Sequence, residues 1–71
     1  MSATYRISKS ASAQFAVLKN GENPSLLTPS DLRQLCQTMG ESYAHLMAEL
    51  EKNDVVELTV AYGKVRSISC R

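Results

Sequence analysis

Apolar residues recur at spacings of three and four through the middle of the chain: Leu32, Leu35, Cys36, Met39, Tyr43, Leu46, Met47 and Leu50. That spacing draws one stripe along a helix, and it predicts a single long helix over residues 29–52. The start of the helix is strongly marked. Thr28 reads as the N-cap, Pro29 fits the first helical position, where no amide partner is needed, and Asp31 stands three residues after the cap. Leu27 before the cap and Leu32 four positions after it match a hydrophobic staple. Gly40 interrupts the pattern at a cost of about 1 kcal/mol relative to alanine. It either permits close backbone approach within one helix or caps the first of two shorter ones, and the unbroken stripe favours one helix.

From Val55 the period changes to two. Val56, Leu58 and Val60 point to one side, Glu57 and Thr59 to the other, as in a strand with one buried face. On such a strand Glu57 is expected to meet a cross-strand partner. The return strand covers residues 65–70. A three-residue loop of Ala61, Tyr62 and Gly63, with glycine in the left-handed position, places Ile68 and Cys70 on the face of Val56 and Leu58. The same register turns Arg66 inward near the rim, where its stem must snorkel. Nearer the N-terminus, residues 4–8 put Tyr5 and Ile7 on one side, and residues 14–19 hold Phe15, Val17 and Leu18. The small polar residues between them form a loop, so these two runs make a first hairpin. Asn20 and Gly21 end its second strand. The Asn-Gly pair could instead turn into a further strand, but Pro24 cannot donate to a ladder and would keep it short or at an edge, so the stretch up to the helix reads as a connector.

The element order is strand, strand, helix, strand, strand. It predicts an α+β fold: a ββαββ two-layer sandwich with one antiparallel sheet of about four strands and a single long helix packed on one face. With 71 residues, the chain, residues 1–71, is one small domain. One sheet face stays uncovered. Val55, Ala61, Val65, Ala16 and Leu18 are expected there, and an apolar second face points to a homodimer formed face to face or by pairing edge strands.

Composition narrows the function classes. Hydrophobic residues make up 44% and charged residues 21%, with a formal net charge of +1, the balance of a folded globular chain. The longest aliphatic or aromatic run is residues 15–18, too short for a membrane span, and the first dozen residues hold no apolar signal core, so cytoplasmic residence and no membrane contact are expected. Cys36 and Cys70 are too few for a disulfide framework and read as reduced thiols.

No motif specifies an enzyme. Gly21, Gly40 and Gly63 stand alone, without a phosphate-binding loop. His45 has Glu41 and Glu49 one helical turn away, a pair that would be exposed and incomplete as a metal site, so His45 reads as a surface residue. Cys36 lies roughly opposite His45 around the helix, which leaves no thiol beside a base. No catalytic residue, cofactor or metal is expected. The candidate contact residues are Arg6, Lys9, Tyr62, Lys64, Arg66 and Arg71, cations and an aromatic of the strand and loop segments. They point to a small non-enzymatic protein-interaction module: a regulator, inhibitor or accessory subunit, such as bacteria and phages use, that binds a protein partner. The alternative is a small dimeric nucleic-acid-binding protein using the basic strand residues. A pI near 7.8 is low for that class.

Overall fold

Alternation in the first strand sets the sheet. The computed structural model describes every residue except Met1, Ser12, Asn23 and Arg71. Strand β1 (Ser2–Lys9) turns Ile7 completely away from water and pairs antiparallel with β2 (Phe15–Lys19), Ile7 opposite Val17 and Tyr5 opposite Lys19. Both strands lie in a five-stranded sheet, one strand more than the sequence predicts.

The additional strand is β3 (Ser25–Leu27), which occupies part of the stretch read as a connector. Asn20 and Gly21 both take positive φ, and the Glu22 amide donates to the Lys19 carbonyl at 3.0 Å, closing a β-turn of the mirror-image type over residues 19–22, beyond which Val17 pairs with Ser25. Asn20 also accepts the Thr4 amide on its side-chain oxygen at 2.9 Å, tying the turn to β1. The connector reading is thus replaced by a strand that is short and at the margin of the sheet, the form Pro24 allows. β3 has a partner on one side only, where a missing amide at its start costs little.

The helical region also differs from the expected form. It comprises α1 (Pro29–Met39) and α2 (Tyr43–Lys52), not one helix over residues 29–52. Thr28 caps α1, accepting the Asp31 amide at 3.2 Å. Gly40 then takes a left-handed φ of 74°, and its amide with that of Glu41 satisfies the carbonyls of Gln37 and Cys36. Ser42 restarts the helix by accepting the His45 amide at 3.3 Å. The apolar stripe survives the break: Leu32, Cys36, Met39, Leu46 and Leu50 are buried, and Leu35, Tyr43 and Met47 pack against them.

Strand β4 (Val55–Ala61) pairs with β1 and with β5 (Lys64–Cys70), giving the order β3-β2-β1-β4-β5. The predicted three-residue loop is instead a two-residue turn, with Ala61 opposite Lys64. A bulge follows: Val65 pairs with Val60 and Ser67 with Thr59, so Arg66 has no opposite residue. The extra residue restores the parity that the short turn would have inverted. Ile68 and Cys70 thus reach the expected face, opposite Leu58 and Val56. Two expectations change. Arg66 is exposed and not turned inward, and Val65 packs on the core and not on the open face.

Both helices cover the face that carries Ile7, Val17, Val56 and Leu58. The opposite face has no element over it among the described residues. It presents small and polar groups, Thr4, Ser8, Ala16, Thr59, Ser67 and Ser69, around an ion pair between Arg6 and Glu57, and with them the apolar Leu18, Leu26 and Val55.

Candidate interaction surface

The β4–β5 turn concentrates three of the candidate residues. Tyr62 and Gly63 have φ of 55° and 75°, the same pair of left-handed conformations that Asn20 and Gly21 adopt in the β2–β3 turn. Asparagine tolerates that region because its short side chain bonds locally, whereas a bulky residue there stores about 1 kcal/mol or more. The tyrosine is therefore not what the turn itself selects. Its side chain is also not used in the core: Tyr62 is 83% exposed. Arg66, freed by the bulge, folds back over it with the guanidinium carbon 5.7 Å from the ring centroid, and its Nε donates to the Ala61 carbonyl at 3.4 Å. Lys64 completes the group, its aliphatic stem running beside Gly40, where an added Cβ would meet the Lys64 Cγ at 3.8 Å. Among the described residues no carboxylate lies within ion-pair distance of Lys64 or Arg66.

The other candidates are elsewhere. Arg6 lies at the centre of the open face, where its Nη2 and Nε donate to the same Glu57 oxygen at 3.0 and 3.2 Å, the cross-strand partnership expected of Glu57. The pair borders an open depression of about 390 Å³ shared with Thr4, Leu18, Asn20 and Gly21. Lys9 ends β1 at the far side of the sheet. Ser2 pairs with Ala61 beside the hairpin tip, and Lys9 is the length of β1 away, ~24 Å at about 3.4 Å per residue. It stands next to a depression of about 320 Å³ with Asn53 and Asp54, and another of about 340 Å³ with Pro29, Tyr43 and Met47. Arg71 lies outside the described residues. The structure thus brings Tyr62, Lys64 and Arg66 together and separates Arg6 and Lys9 from them.

Sequence reasoning places Glu41 and Glu49 one turn from His45 and misses the link from Glu49 to β5. His45 sits between two carboxylates, Nδ1 3.3 Å from Glu41 and Nε2 3.6 Å from Glu49, as helical spacing allows. The second oxygen of Glu49 accepts the Cys70 thiol at 3.2 Å. Helical periodicity could reveal the first two contacts, but nothing local connects Glu49 to a residue on β5. The hydrogen bond to Glu49 pushes the Cys70 pKa up, helped by burial and by the carboxylate charge. Burial, with a smaller push from Glu41, does the same to Cys36. Both cysteines are free, and both hold their protons at neutral pH, the opposite of what a nucleophile or thiolate ligand requires. Among the described residues no group of three His, Cys, Asp or Glu side chains is placed to hold a metal ion.

Each of the three depressions is open to solvent, so a ligand resting in one keeps much of its surface wet, unlike a small molecule in an enclosing site. No helix among the described residues is long and apolar enough to cross a membrane. Compared with known family models, curated proteins and solved structures, the chain matches none of them, so its own surface is the guide to what it does.

Proposed function

We infer that this chain is a small non-enzymatic interaction module, resident in the cytoplasm, that recognises a protein partner through the β4–β5 hairpin. One observation carries the reading: Tyr62 is displayed almost fully to solvent from a backbone conformation that disfavours it, in a chain that uses Asn-Gly for the same turn elsewhere. Strain retained at an exposed aromatic signals a use outside the fold, and exposed tyrosine beside arginine is the composition of interface anchors. Arg66 stacks on the ring without a carboxylate partner of its own among the described residues, so its charge is available across an interface.

The nucleic-acid reading has less support. Its cations do not form one track, since Arg6 is paired with Glu57 and Lys9 lies at the other end of the sheet. Phosphate binding draws on contiguous positive charge. Face-to-face dimerisation is also less favoured, because Val65 belongs to the core and the apolar side chains of the open face, Leu18, Leu26 and Val55, are set around a central ion pair among Ser, Thr and Ala. Burying such a face would desolvate the Arg6–Glu57 pair along with its apolar groups.

The test is affinity capture from a lysate of the protein's own source, using tagged wild-type chain and Tyr62→Asn, each with and without nuclease. The expected result is a stoichiometric protein retained after nuclease by the wild type and lost by the variant. Retention that vanishes with nuclease, or that Tyr62→Asn leaves intact, contradicts the reading.

A further inference from the structure

Strand β5 forms one margin of the sheet, and its outer backbone edge has no strand against it among the described residues. The other margin is blunt: β3 is three residues long and follows Pro24. On β5 the bulge at Arg66 interrupts the ladder, and regular pairing with β4 resumes from Ser67 to Cys70. Along that part Ile68 and Cys70 are half-buried toward the helices, while Ser67 and Ser69 are exposed on the open face. A strand laid here would gain main-chain hydrogen bonds, apolar neighbours on one side and hydroxyls on the other.

Charge selects the occupant. Lys64 and Arg66 stand at the start of the edge, and β5 contains no acidic residue. Arg6 is neutralised by Glu57, and Glu49, near Cys70, is engaged by the thiol and by His45. Among the described residues the unanswered charge along this margin is therefore positive and lies at the Lys64 end. A second copy adding β5 antiparallel to β5 would carry each chain's Lys64 and Arg66 to the opposite end of the other's strand, which offers no acid, so the cations would stay unanswered, whereas an acidic strand answers them. We propose that β5 receives an extended acidic segment of a partner protein as a sixth strand of the sheet, its carboxylates facing Lys64 and Arg66. The proposal rests on the interaction-module reading and specifies the partner's chemistry.

The experiment titrates isotope-labelled full chain with a synthetic peptide alternating valine and glutamate, and with its lysine-for-glutamate counterpart, while amide shifts and hydrogen exchange are followed by NMR. The acidic peptide should give saturable shifts and added protection centred on residues 67–70, with affinity at least ~10-fold above the basic peptide, since like-charge juxtaposition disfavours the latter. The double variant K64E/R66E, altered only at exposed positions, should reverse that preference. Equal binding of the two peptides, no binding of either, or shifts centred away from β5 overturns the proposal. Protection of residues 67–70 that grows with protein concentration alone assigns the edge to a second copy and also overturns it. Equal shifts at β5 from a thymidine oligonucleotide assign the charge to nucleic acid and overturn it likewise. Failure here with capture still lost in Tyr62→Asn removes strand addition and leaves the interaction module, whereas capture retained by that variant removes the module reading itself.

Discussion

The Cys36 thiol is fully buried on α1, and loss of water there raises its pKa above the ordinary 9.0. The folded chain consequently holds this proton more tightly than the unfolded chain does. Its contribution to stability is complete below about pH 9 and is lost as pH rises through the raised folded value. Denaturation midpoints measured between about pH 8 and about pH 11 should fall for the wild type and fall less for Cys36→Ala, which lacks this thiol. Identical alkaline slopes would mean that the thiol is not held in this way. Chemistry at this scale was partly legible in the sequence. The position of Cys36 on an apolar stripe marks it as buried, and a strand placement marks Glu57 as needing a partner. The contact of Cys70 with Glu49 was not legible, because it depends on how α2 crosses β5, across 21 positions of sequence.

Elements broke or extended where two local signals competed. Helical periodicity runs through Gly40 without losing phase, so the stripe alone reads as one helix. The backbone reads differently: Gly40 at a φ of 74° closes α1, and Ser42 opens α2. The connecting residues let both helices present their apolar side to the same sheet, which is why the stripe predicts the buried residues correctly and the helix count wrongly. Gly40→Ala separates the two descriptions. In a continuous helix it would stabilise by about 1 kcal/mol, whereas in a left-handed cap it should destabilise by about 1–2 kcal/mol; a rise in the urea midpoint would contradict the break. Pro24 shows the same competition, since its missing amide argued against a strand but only excluded a central one. In the β4–β5 hairpin a shorter turn and a bulge cancel, so face assignments survive for Ile68 and Cys70 and fail for Val65 and Arg66.

At the scale of the molecule, one layer of helices seals one side of the sheet, and the core is shared between them: Ile7, Val56 and Leu58 from the strands, Leu32, Cys36 and Leu46 from the helices, all essentially without solvent contact. A small domain has little stability in reserve. Leu46→Ala should therefore cost about 2–5 kcal/mol, enough to leave much of the chain unfolded at room temperature by circular dichroism. A loss below about 1 kcal/mol would contradict a core in which α2 is seated on the sheet. The two-layer α+β plan was readable because hydrophobic period reports directly on which faces are buried. The candidate surface was readable only as a set of residue types. Bringing Tyr62, Lys64 and Arg66 together while sending Lys9 to the opposite end of β1 is a consequence of strand register, which turn residues and bulges decide.

On the proposed reading, Tyr62 is kept for binding at the expense of its own turn, and a paired measurement on Tyr62→Asn addresses both halves of that statement. Urea denaturation and partner capture would be run on the same preparation of wild type and variant. The variant should be at least as stable as the wild type, gaining up to about 1 kcal/mol from relief of the strained turn, and should lose the captured partner. A variant that is clearly less stable, or one that retains the partner in full, would contradict the role assigned to Tyr62.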